Sequence, residues 1–137
     1  MRVIKHFAIA TTTALALTGI AVAADLTDAE LKSMFVGNTV YLEVQAAGSV
    51  TGASGQGAIY YTQDGTAHYK TAKGEMWQGK YAIKNNTNCT DWKQAPGSSC
   101  TRYDKQGDTI TLINTANGQV RGKLLKTAPG NPEKLGQ

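Results

Sequence analysis

Histidine is almost missing from this chain: there are two in 137 residues, and only His68 lies beyond the first two dozen. With no Cys-x-x-Cys and one distal imidazole, a zinc site has no ligand set. A Ser-His-Asp arrangement would have to use His68, and no Gly-x-Ser-x-Gly elbow accompanies it. Within Ala67-His68-Tyr69-Lys70 it reads as a polar strand residue. Charge is sparse too: 14 Lys and Arg face 10 Asp and Glu, interspersed and without a basic run or an aromatic-basic ladder. That dispersion argues against a nucleic-acid or heparin surface. Phosphate-loop, calcium-loop and haem-attachment patterns are all lacking. Glu43, Glu75, Asp91 and Asp104 are the carboxylates available for paired acid-base chemistry. Such chemistry needs two carboxyls about 5–10 Å apart in a cleft, whereas scattered strand carboxylates usually face water.

Long apolar runs are confined to one place. Arg2 and Lys5 precede an apolar stretch over residues 7–22, and Ala21-Val22-Ala23 supplies small residues at the −3 and −1 positions. This is the pattern of a secretory signal peptide over residues 1–23, with cleavage expected before Ala24 or Asp25. The stretch is short for a membrane span of ~20 residues, and no strongly apolar segment follows it. Losing Arg2 and Lys5 with the leader lowers the net charge from +4 to +2, so the basic pI is partly a property of the leader. Residues 24–137 then form a single domain, periplasmic or secreted and not membrane-spanning, large enough for one modest core. The two cysteines, Cys89 and Cys100, both lie in that domain, and an oxidising compartment favours a structural disulfide between them.

Thr27 followed by Glu30 makes a capping box, and Leu26 with Leu31 is spaced as a hydrophobic staple. Leu31, Met34 and Phe35 share a face and Gly37 can end the helix, which predicts one short amphipathic helix over 28–36. Everything after Gly37 alternates and turns. Strands are expected over 40–44, 58–62, 66–71, 77–83, 90–93, 100–104, 108–113 and 120–125, with Asp64-Gly65 as a hairpin signal. The glycine-rich stretch 47–57 is expected as a mobile loop or bulge, 85–88 as a turn, and 129–137 as a tail with little to bury. About eight short strands at this spacing predict a mainly β fold: a small antiparallel barrel or sandwich with one N-terminal amphipathic helix. Closure favours the barrel, because it removes exposed edges.

Several motifs together resemble a proteobacterial family of exported proteins, domain of unknown function 995. They are a Leu-Thr-x-x-Glu-Leu helix running into Phe35-Val36-Gly37-Asn38-Thr39-Val40, then Tyr61 to Gly65, then Trp77-Gln78-Gly79-Lys80-Tyr81, the cysteine pair, and Gly130-Asn131-Pro132-Glu133-Lys134-Leu135. The resemblance spans nearly all of 26–135 and is most specific at Phe-x-Gly-Asn-Thr and at the Gly-Asn-Pro-Glu-Lys-Leu close. It implies a small secreted β domain and carries no residue-level activity.

Aromatic residues supply the remaining signal. Tyr60, Tyr61, Tyr69, Trp77, Tyr81, Trp92 and Tyr103 crowd the central strands. They either fill the core or line a cup for a ligand, in which case Tyr60, Tyr69, Trp77, Tyr81 and Trp92 are the candidate binding residues. The expected function is a non-catalytic binding module of the bacterial envelope that holds a small apolar ligand or a protein, with no cofactor or metal assigned. The alternative is an interaction protein acting through loops 47–57 and 94–99, for example an inhibitor of a cell-wall enzyme. A hydrolase using His68 or a carboxylate pair ranks last.

Overall fold

The computed structural model describes Gly19 and residues 22–137; apart from Gly19, Val22 and Ala23, the expected signal peptide lies outside the described residues. A two-residue strand β1 (Ala24–Asp25) leads into α1 (Asp28–Phe35). Eight strands follow: β2 (Asn38–Val44), β3 (Gly55–Tyr61), β4 (Thr66–Lys70), β5 (Met76–Lys84), β6 (Thr87–Trp92), β7 (Ser98–Gln106), β8 (Thr109–Asn114) and β9 (Val120–Pro129). Each of these pairs antiparallel with the next, and β9 pairs back on β2, so β2 to β9 close into an eight-stranded meander barrel. The ninth strand, β1, lies along β7 at Asp104 and Lys105, beyond the end of the β6 pairing.

The helix forms as its spacing predicts. The Thr27 hydroxyl accepts from the Glu30 amide while the Glu30 carboxylate accepts from the Thr27 amide, so two otherwise orphaned donors are satisfied. Leu26 and Leu31 are both buried, and so is Phe35. Asp28 and Asn86 exchange backbone-to-side-chain hydrogen bonds of 3.0 and 2.6 Å, which pins the start of the helix to the β5–β6 turn. The helix thereby stoppers one end of the barrel. Phe35 stacks on Tyr61 at 5.0 Å and meets Tyr103 edge-on at 5.0 Å, and neither Phe35 nor Leu31 keeps any exposure.

Inward faces follow the alternation: Val40, Leu42 and Val44 from β2, Ile59 and Tyr61 from β3, Ala67 and Tyr69 from β4. Cys89 and Cys100 are direct cross-strand partners and are joined by a disulfide between β6 and β7. Three expectations are corrected. β3 begins at Gly55, inside the stretch expected as loop, because Gly57 leaves room for the Tyr69 ring: a Cβ there would lie 2.8 Å from it. The turn expected over 85–88 is only Asn85-Asn86, both with positive φ, and β6 starts at Thr87. The tail does bury something: Leu135 is 4% exposed, held by two hydrogen bonds of 2.9 Å between its backbone and the Asn131 side chain.

The tail also accounts for the two specific motifs. The Thr39 hydroxyl donates to the Gly130 carbonyl at 2.8 Å, the Gly130 amide donates to the Gly37 carbonyl at 3.0 Å, and the Gly37 amide donates to the Tyr61 carbonyl at 2.7 Å. Asn38 bonds the helix carbonyls of Ser33 and Met34, and Tyr41 donates to Glu133 at 2.9 Å. Phe-x-Gly-Asn-Thr and Gly-Asn-Pro-Glu-Lys-Leu are thus two halves of one buckle, tying helix end, barrel and tail together.

Candidate ligand site at the barrel mouth

The end opposite the helix is open. Its rim consists of the segment after β2, which includes the 3-10 turn Ala46–Gly48, and of residues 71–75, 93–97 and 115–119. An open cup of about 450 Å3 lies between Ala47 to Val50, Ala95 to Ser99, and Asn114 to Gln119. Below it, inside the barrel, a smaller cavity of about 60 Å3 is walled by Leu42, Val44, Ile59, Tyr69 and Trp92 and by the polar groups of Tyr61, Asn88, Thr90, Tyr103 and Arg121. Gly48, Ser49, Val50, Trp92, Ser99 and Arg121 border both spaces, so cup and cavity adjoin.

Arg121 reaches this junction because of a bulge. On β8, Leu112 pairs with Gly122 and Ile113 pairs with Val120, which leaves Arg121 as the extra residue. A bulge re-aims the side chain it carries and is common at barrel rims. Strict alternation from Leu124 and Gly122 would have put Arg121 outside; the register shift turns it in. Gly122 is required next to it, since a Cβ there would lie 1.9 Å from the Glu43 carbonyl. Arg121 donates from Nη1 to the Gly48 carbonyl at 3.0 Å, while its Nε is buried with no partner. Burial lowers its pKa, and the neighbouring Tyr103 phenol opposes that shift.

Asn88, 3% exposed, sits deeper, and its Oδ1 likewise has no partner. Its amide faces the Tyr61 and Tyr103 hydroxyls. Burial holds the Tyr61 phenol well above its ordinary range and pushes Tyr103 to about 12, although Asn88 favours ionisation of both. Tyr69 is likewise pushed up to about 12 by burial. The lower cavity is therefore walled by buried polar groups that are not all matched.

The five candidate aromatics are separated by the fold. Tyr69 and Trp92 line the cavity, and Trp77 packs edge-on against them at 6.5 and 6.3 Å. Tyr81 lies toward the helix end, edge-on to Tyr61 and donating to the Thr62 carbonyl. Tyr60 is on the outer wall, stacked with His68, whose ring the tail covers at Gly136. Loops 47–57 and 94–99 meet at the same mouth, though 55–57 belongs to β3 and 98–99 to β7. Arg121, Asn88 and the 114–119 turn did not emerge from sequence reasoning. Only the position of the bulge could have indicated Arg121, and a single sequence does not display it.

Of the carboxylates, Glu43 lies 4.0 Å from Lys123, Glu75 accepts from the Trp77 indole at 3.3 Å, Asp91 is exposed, and Asp104, between Asp25 and Thr111 in the sheet, has a buried Oδ1 without a partner. Among the described residues no group of three or more His, Cys, Asp or Glu is placed to hold a metal, and no helix is long and apolar enough to cross a membrane. Set against protein-family models, curated proteins and solved structures, the chain matches none.

Proposed function

We propose that this protein is an exported, non-catalytic binding module that takes a small ligand into the mouth of its barrel. The observation that carries the reading is the cup at the mouth with a cavity adjoining it, beside which Arg121 Nε and Asn88 Oδ1 are buried without partners. Buried polar atoms are nearly always matched, and leaving one unmatched costs about 1–3 kcal/mol. A ligand around which the Arg121 and Asn88 side chains reorient recovers part of that cost. The disulfide suits an oxidising compartment outside the cytoplasm, and the resemblance to the exported family 995 supports the same address.

Volume narrows the ligand. A cavity of about 60 Å3 is well below the ~150 Å3 that admits benzene. A wholly apolar ligand therefore finds too little room inside, whereas a short apolar tail below a polar head fits both compartments. Titration of a panel of short alcohols, amides and acids, followed by tryptophan emission and by Tm, tests this reading. Saturable shifts are expected; emission and Tm unmoved across the whole panel would refute it.

A protein partner is the second reading, favoured by the convergence of loops 47–54 and 94–99 on one rim. It predicts that envelope extract yields a partner whose capture is lost when Pro96-Gly97 is replaced by bulkier residues; capture that survives the change removes it.

A further inference from the structure

We infer that the barrel mouth selects small monocarboxylates with a short aliphatic tail, with Arg121 as the cationic partner of the carboxylate. This rests on the mouth being a ligand site. Three observations carry it beyond that reading. First, the bulge at Arg121 costs regular pairing on β8 and turns a guanidinium toward the interior, where an apolar side chain would fill the wall without desolvating a charge. Second, that charge is not neutralised by the protein. The ion pairs among the described residues are Asp25–Arg102 and Glu43–Lys123, so Arg121 has no carboxylate partner there. One Nη1 bond to Gly48 leaves the buried Nε unmatched. An anion at the cup–cavity junction supplies the missing charge, and charge-assisted bonds from guanidinium to carboxylate are among the strongest available.

Third, the two compartments set the orientation. The cup above Arg121 is rimmed by Ser49, Ser99, Asn114 and Gln119, while the cavity below offers Leu42, Val44 and Ile59. A carboxylate held at Arg121 places its tail downward. The cavity of about 60 Å3 limits that tail to a few carbons and excludes a ring.

Calorimetric titration of the disulfide-bonded protein with butyrate, and with the near-isosteric neutral butyramide at the same ionic strength, tests this. Butyrate is expected to bind saturably and at least about tenfold more tightly than butyramide, with Arg121→Gln abolishing that preference and Arg121→Lys retaining part of it. The butyrate–butyramide comparison on the unmodified protein decides the matter even if Arg121→Gln folds poorly. Equal affinity for the two overturns the anion preference while leaving the mouth as a ligand site. Binding of other neutral panel members without butyrate overturns it in the same way. No binding by any compound removes the site and the inference together.

Discussion

Raising the pH should unfold this barrel from within. Burial pushes Tyr69 and Tyr103 from the ordinary 10 to about 12, and Tyr61 is also held well above its usual value. A phenol whose pKa is higher in the folded state keeps a proton that the unfolded chain has released. Its stabilising contribution is therefore complete below pH 10 and falls away as pH rises toward 12. At about 1.4 kcal/mol per pKa unit, Tyr69 and Tyr103 each withdraw roughly 3 kcal/mol across that window, and Tyr61 adds to the loss. A domain of this size has only ~5–15 kcal/mol in total. Cooperative unfolding is thus expected between pH 10 and 12, with the phenolate absorbance of these three tyrosines appearing together with loss of far-ultraviolet sheet signal. Ionisation of all six tyrosines near pH 10 with the sheet intact would refute the reasoning, because it would mean that water already fills the interior.

Other perturbations follow from the same structure. Replacing Cys89 and Cys100 by serine frees a short loop and should cost about 3 kcal/mol, or roughly 10 °C in Tm, while the barrel persists; an unchanged Tm would show that the bridge constrains nothing. Gly79→Ala places a Cβ 2.5 Å from the Asp91 carbonyl, beside the Gly79–Trp92 pair. It should destabilise by about 1–3 kcal/mol and alter Trp92 emission, both readable in a fluorescence melt. Leu135→Ala should cost about 2 kcal/mol, measured by denaturant unfolding, with Trp emission unchanged because the tail covers the outer wall. A loss below a few tenths would mean that the buckle contributes nothing.

Local signals in the chain were strong where one residue's chemistry decides the outcome. Thr27 and Glu30 announce the helix start, and Asp64-Gly65 announces a hairpin. Val40, Leu42 and Val44 announce an inward face. The cysteine spacing matched the bridge because β6 and β7 form a hairpin across a short loop. Legibility failed where long-range packing decides. Gly55 to Gly57 look like loop in isolation but serve a strand, since the missing side chain of Gly57 makes room for Tyr69. Leu135 is one apolar residue in a polar tail, and only the Asn131 turn folds it onto the wall. Tyr60 and Tyr69 are both strand aromatics of similar appearance, yet the phase of alternation sends one out and the other in. Arg121 was the least legible, because the bulge that turns it inward reverses the phase its neighbours set.

The claim that most needs testing is that the mouth is where this protein binds. Backbone amide NMR spectra recorded during titration with butyrate and with the neutral panel test it directly. Shift changes confined to residues 46–50, 95–99 and 114–121, with Asn88 and Trp92 beneath them, are expected. Changes confined to the outer wall around Tyr60 and His68, or none at saturating ligand, would contradict it.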